Sequence, residues 1–244
     1  MPPGTIHLRP TAPLAERVLL PGDPGRALAL AQALLTEPRM FNHNRGLWGY
    51  TGAARDGELL TVQSTGMGGP SAAIVVEELA TLGARRIVRV GTCGALRDDL
   101  FLGEVIVVRE ALPADGASRA LGATGPVAAD PELTAALHRA AEGAARTGAA
   151  LTTDLFYDRN GERDAEGEGD WDASHAHPGE RVGAALVAEM EAATVLRLGE
   201  LLGLRAGCLL GVTDLRTDGH ERMDDDALAV LGVRLGEIAA RALF

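Results

Sequence analysis

Residues 183–196 read Gly-Ala-Ala-Leu-Val-Ala-Glu-Met-Glu-Ala-Ala-Thr-Val-Leu. The run is apolar apart from Glu189 and Glu191, and it reads as a buried strand entering a buried helix. Burying a lone charge is expensive, so acids in such a run need a partner. A ligand is one candidate: two carboxylates at i and i+2 can grip adjacent hydroxyls, as on a ribose. A pair at a strand end in water is the alternative.

The same alternation of short aliphatic runs and longer helical patterns extends along the chain. Strands are predicted over 18–20, 59–62, 86–90, 105–108, 149–153, 185–188 and 208–212. Helices are predicted over 26–35, 71–82, 132–145, 192–202 and 225–243, with Pro70-Ser71 and Asp130-Pro131-Glu132 as starts. This pattern predicts an α/β fold, a single domain over 1–244 with a central mixed β-sheet flanked by helices. Residues 158–181 are charged, glycine-rich and nearly free of aliphatics, which predicts a mobile surface loop, either a lid over a site or a solvated insertion.

At 244 residues and 46% hydrophobic, the chain is long enough to bury one full core. All 23 basic residues are arginine, so no chemistry that needs a P-loop or Schiff-base lysine is available. The net charge of −11 argues against nonspecific nucleic-acid or anionic-membrane binding. An anionic substrate must then be held by local arginines working against the global field. Cys93 and Cys208 sit in apolar runs and are expected as buried thiols in a reducing compartment. The first residues lack a signal-peptide pattern and no apolar run approaches membrane-spanning length, so a cytoplasmic protein is expected.

Four constellations carry candidate chemistry. Pro21-Gly22-Asp23-Pro24-Gly25-Arg26 lies between a strand and a helix. There, backbone N–H groups and the helix dipole favour an anion, although a plain connecting turn has the same pattern. Ser64-Thr65-Gly66-Met67-Gly68-Gly69-Pro70-Ser71 is a second such turn, and its glycine spacing is not that of a dinucleotide fingerprint. Arg89-Val90-Gly91-Thr92-Cys93-Gly94 adds an arginine that is costly to bury unpaired. Arg26, Arg89 and Thr92 can surround one phosphate. Thr213-Asp214-Leu215-Arg216, followed by His220-Glu221-Arg222, places an acid at a strand end. Asp214 there is either a proton donor or a turn-capping residue. No metal-ligand cluster is evident; His175 and His177 could take a metal only adventitiously.

Taken together, these motifs resemble the hexameric nucleoside phosphorylase family, which includes bacterial purine nucleoside phosphorylases and uridine phosphorylases. The resemblance runs from His7 to about Arg222. It rests on Pro-Gly-Asp-Pro-x-Arg, Arg-Val-Gly-Thr-Cys-Gly-Ala and Glu-Met-Glu-Ala-Ala in the family's order. It implies phosphorolysis: phosphate attacks C1′ of a nucleoside and the base leaves. No cofactor is implied, inorganic phosphate being a co-substrate. By resemblance, Gly22, Arg26, Arg89 and Thr92 hold phosphate, and Arg45 reaches it from a neighbouring subunit. Met190 and Glu191 hold the ribose with Glu189 nearby, and Met67 lines its side. A neighbour's His7 meets the 5′-hydroxyl, and Phe156 packs on base or sugar. A homo-oligomer is implied, a hexamer built from dimers that share sites. Val212-Thr213-Asp214, residues 44–52 and Asp154-Leu155-Phe156-Tyr157 resemble the purine branch, whose aspartate acts on the base with help from an arginine. Glu221-Arg222 matches the dipeptide that carries that arginine in the family, across a shorter intervening stretch, so the resemblance favours Arg222 over its rival Arg216. Residues 64–79 and Asp115-Gly116-Ala117-Ser118 resemble the uridine branch. The uridine enzymes' glutamine is absent after Phe156-Tyr157, where Asn160, Gly161, Glu162 and Arg163 stand. The purine reading is preferred, uridine phosphorylase is the alternative, and a nucleosidase or a silent binding protein comes behind both.

Overall fold

The structure, a computed structural model, describes residues 4–157, 185–215 and 221–244. Its elements run β1 (Arg17–Leu20), α1 (Pro24–Leu34), β2 (Thr36–Asn42), β3 (Gly49–Ala53), β4 (Leu59–Gln63), α2 (Gly69–Leu82) and β5 (Arg86–Ala95). There follow β6 (Val105–Pro113), α3 (Gly116–Ala120), β7 (Val127–Ala128), α4 (Pro131–Ala140) and β8 (Ala145–Thr152). The chain ends with β9 (Ala185–Glu189), α5 (Ala192–Leu202), β10 (Arg205–Leu215), β11 (Glu221–Arg222) and α6 (Asp225–Ala242). Helix starts follow local chemistry. Asp23, Asp130 and Asp224 accept the N–H three residues on, and proline opens α1, α2 and α4, where a missing N–H costs nothing.

One mixed sheet holds all the strands, and part of it closes on itself. Strand β10 pairs in parallel with β5 and antiparallel with β6. Strands β6, β8 and β9 run parallel in sequence, and β9 returns antiparallel to β5. Five strands therefore form a ring. From β5 the sheet also continues through β1, β4, β3 and β2 as an open wing. Alternation along the strands sends side chains to two cores. One gathers Leu20, Ile87, Ile106 and Leu210 with α2 and α5. The other gathers Leu19, Val88, Val107 and Leu209 with α1, α4 and α6. This is the central mixed sheet flanked by helices that the sequence predicts.

Four elements lie outside the predicted set apart from the two-residue β7: β2, β3, α3 and β11. The predicted helix over 132–145 is shorter. It stops at Ala140, Glu142 and Gly143 take positive φ, and Ala145 already belongs to β8. The strands predicted over 86–90 and 208–212 extend to ten and eleven residues. The expected mobile loop over 158–181 lies outside the described residues, and no helix among those described is long and apolar enough to cross a membrane.

Packing is tight where α5 meets β10. A Cβ on Gly199 would lie 2.4 Å from the Cβ of Ala206. Alanine in a helix interior normally gains about 1 kcal/mol over glycine. Here neither Cβ can rotate away, and overpacking costs about 1–3 kcal/mol. Gly199→Ala should therefore lower the denaturant midpoint. A midpoint raised by the helix-propensity gain would contradict this packing.

Candidate active site

The C-terminal ends of β1, β4, β5, β9 and β10 carry the predicted site residues. Strand β9 ends at Glu189, and α5 begins three residues later. Helix starts leave N–H groups without intrahelical partners. At α5 these groups are taken locally: Glu191 N (2.8 Å) and Ala192 N (2.9 Å) donate to Glu189, and Ala193 N donates to the Thr152 hydroxyl at 2.9 Å. Thr152 Oγ1 in turn donates to Glu189 Oε1 at 2.5 Å, across the β8–β9 register that pairs these two residues.

Arg89 enters this cluster from β5. Its Nε donates to Glu189 Oε2 at 2.9 Å and its Nη2 pairs with Glu191 Oε2. The guanidinium folds back over Gly91, where a Cβ would lie 2.8 Å from Nη2, so glycine two residues on is what admits it. Glu191 keeps its other oxygen on the Gly68 N–H at 2.5 Å, in the turn that opens α2. Burial works against the charge on Arg89, but Glu191 and Glu189 outweigh it and hold the guanidinium protonated. Burial pushes the Glu189 carboxyl above its ordinary value, Arg89 pulls it back, and Glu191 adds to the rise. Every contact Glu189 makes is an accepted bond, which suits an ionised carboxylate.

The two acids, equivalent in the sequence pattern, therefore differ in space. Glu189 has a fully buried side chain with all its directions occupied. Its place is behind Arg89 and the start of α5, and it does not itself present an oxygen to a ribose. Glu191 lies at the edge of the cluster beside the turn that carries Met67, which is 85% exposed. Met190 between them is half-buried.

Arg26 stands at the start of α1 with its stem against Gly232 of α6. The expected anion-binding N–H groups there are partly spoken for, because Asp23 accepts from Arg26 N at 2.6 Å. The guanidinium itself makes no hydrogen bond or ion pair among the described residues. Burial lowers its affinity for the proton, Asp23 opposes that, and the like charge of Arg89 adds to the lowering. Arg26 and Arg89 thus feel one another. A half-buried cation with no partner beside a second cation favours an anion between them. Gly22 lies against the Gly66 carbonyl, and Thr65 N donates to Pro21 O at 2.9 Å, so the two glycine turns form one floor.

Further along the β5–β10 pair, Thr92 lies opposite Gly211 and Gly94 opposite Asp214. Two residues of strand separate those positions, about 7 Å at the usual rise. Asp214 accepts from the Thr213 hydroxyl at 2.8 Å. Arg222 on β11 faces it across the strand pair, with Nε 3.6 Å from Asp214 Oδ1. The rival, Arg216, lies outside the described residues. The pair is loose and exposed and adds little stability, but it sets a positive charge beside the acid.

Three predicted residues are not joined to this group within the chain. His7 and Arg45 share a separate surface, where Asn44 Nδ2 donates to His7 O at 2.8 Å. Arg45 is exposed and held at φ 58, in the left-handed region. Phe156 is 58% exposed and packs edge-on against Tyr157, with ring centroids 5.0 Å apart. Two residues that sequence reasoning passed over complete the picture: Thr152, whose only signal was a hydroxyl ending an apolar strand, and Glu78, which holds His7 and left no signal in the α2 pattern. Among the described residues no group of three or more His, Cys, Asp or Glu could hold a metal ion.

Comparison with known proteins follows the same lines. A uridine phosphorylase of Thermococcus kodakarensis is 37% identical over 203 residues, 82% of this chain and 73% of the relative. A DeoD-type purine nucleoside phosphorylase of Geobacillus kaustophilus is 35% identical over 227 residues, 89% of each chain. A guanosine phosphorylase of Halorubrum lacusprofundi is 34% identical over 86% of this chain and 83% of the relative. Among solved structures, a uridine phosphorylase of Vibrio fischeri, complexed with 6-hydroxy-1-naphthoic acid, superposes with a TM-score of 0.76. It is 26% identical, covering 94% of this chain and 90% of that one. Residues 16–243 match the family model described as the phosphorylase superfamily, and the chain belongs to that superfamily.

Proposed function

We propose that the protein is a nucleoside phosphorylase of the purine type, which converts an inosine- or guanosine-like nucleoside and phosphate to free base and ribose 1-phosphate. Arg26 and Arg89, with Thr92 and the Gly22 backbone, hold the phosphate on one side of the anomeric carbon. Glu191, with Met190 and Met67 beside it, takes the ribose hydroxyls. Asp214 faces the departing base, and Arg222 supports the proton it delivers. The transition state places positive charge on the sugar between an anion and a leaving base, so the work is positioning and electrostatics. No cofactor enters this scheme.

The observation that carries the purine reading is the Asp214–Arg222 pair at the end of the strand that neighbours Arg89. An acid set against a leaving purine nitrogen supplies the proton that a poor leaving group needs. The uridine reading has its own support in the names of the Thermococcus relative and the Vibrio structure. Against it stand the acid itself and the lack of a glutamine after Phe156-Tyr157.

His7 and Arg45 complete the site in this proposal from a second copy of the chain. Their shared surface, the strained turn at Arg45 and the exposed Ile6, Met40 and Trp48 nearby in sequence suit an interface. The assembly proposed is a hexamer of such dimers in the cytoplasm, with neither nucleic acid nor membrane as partner.

A panel of inosine, guanosine, adenosine and uridine, assayed with and without phosphate, tests the activity. Purine release that requires phosphate is expected. Equal release without phosphate would make the protein a hydrolase, and uridine turned over much faster than inosine would make it a uridine phosphorylase. Asp214→Asn should cut kcat on inosine by about 10²- to 10⁴-fold while KM for phosphate stays within about twofold. Parallel loss of phosphate affinity would contradict the separation of the two roles.

A further inference from the structure

We propose that Glu78, on α2, is a positioning residue that fixes the His7 imidazole as its Nδ1–H tautomer, so that the bare Nε2 is presented to the 5′-hydroxyl of a nucleoside bound by the adjacent copy. The proposal rests on the reading above that His7 serves a neighbouring site.

Glu78 accepts from a whole segment. Its Oε1 takes the N–H groups of Ile6 and His7, both at 3.0 Å, and Oε2 takes Leu8 N at 2.6 Å and His7 N at 3.1 Å. The His7 Nδ1 lies 2.8 Å from Oε1. Burial opposes ionisation of this carboxyl, but the Leu8, His7 and Ile6 N–H groups and the His7 ring together hold it below its ordinary value. An ionised carboxylate is acceptor-only, so the ring nitrogen facing it must carry the hydrogen. In the neutral ring the other nitrogen is then an acceptor. A hydroxyl can donate to it.

The rest of the segment is built to hold that ring still. Leu8 is fully buried, and Asn44 ties the His7 carbonyl to the turn that bears Arg45, so the histidine and the arginine are offered as one unit. Helix α2 links the two duties. At its first turn Gly68 N touches Glu191, the ribose grip of its own copy. Ten residues on, about 15 Å along the axis, Glu78 clamps the residue meant for the other copy.

The test uses Glu78→Gln in the full-length protein. One acceptor oxygen and an amide NH₂ then face three backbone donors and the ring, and the tautomer is no longer enforced. Nitrogen-15 spectra of His7 should show Nδ1 protonated and Nε2 bare in the wild type, and a tautomer mixture in the variant. With the best nucleoside substrate, kcat/KM should fall about three- to ten-fold, the worth of one neutral hydrogen bond. With its 5′-deoxy analogue it should not change. A wild-type spectrum with hydrogen on Nε2 overturns the proposal whether or not the variant folds. So does an equal fall on both substrates, which marks a merely structural role. His7→Ala separates the two layers. If it leaves the preference for the 5′-hydroxyl intact, the neighbour-site reading fails and takes the proposal with it. If it abolishes that preference while Glu78→Gln preserves it, only the role of Glu78 is wrong.

Discussion

A buried guanidinium between two carboxylates sets the terms for everything around it. Arg89, within β5, and Glu189 and Glu191, at the end of β9, lie together, and removing one member of such a cluster leaves an uncompensated charge, at a cost of about 3–5 kcal/mol. The sheet closes into a ring that brings β5, β9 and β10 side by side, Gly91 clears the space, and Thr152 with the first N–H groups of α5 satisfies Glu189. The cluster carries one more negative than positive charge, and the Arg26 guanidinium stands next to it with no hydrogen bond or ion pair among the described residues. An incoming anion is therefore met by one free guanidinium and one already engaged. Glu191, tied to Arg89 and to the Gly68 N–H, is the member that the proposed function has exchange those contacts for ribose hydroxyls.

Much of this was legible in the residues, and the gaps have physical causes. Aliphatic runs located seven strands and five helices because burial imposes its period on apolar side chains. Strand β2 escaped because five of its seven residues face solvent and Pro38 interrupts it; its pairing to β3 is a property of the partner strand. The overlong helix at 132–145 arose because Ala141, Glu142, Ala144 and Ala145 are helix formers by propensity, while Gly143 and a left-handed Glu142 turn the chain. At the site, Arg26, Arg89, Glu191 and Asp214 could be picked out because charge at an apolar strand end is unusual. Nothing in the pattern could separate Glu189 from Glu191, since the difference lies in Thr152, thirty-seven residues away. Arg222 lies opposite Asp214 in the β10–β11 register, while Arg216 lies outside the described residues, so the structure does not weigh one against the other.

Relatives named for purines, guanosine and uridine stand at nearly equal identity, so the scaffold alone does not discriminate among bases. The Arg89–Glu189–Glu191 cluster is buried against the ring of strands, whereas Arg222 and Phe156 are exposed. The surface shared by His7 and Arg45 is likewise peripheral, and the proposed function assigns it to the site of a second copy.

The central claim is that one anion seats between Arg26 and Arg89. A crystal structure determined with phosphate tests it most directly. The account predicts density for one phosphate within hydrogen-bonding distance of both guanidiniums, close to Thr92 and the Gly22 backbone. Phosphate bound elsewhere, with Arg26 and Arg89 both turned away from it, would contradict it.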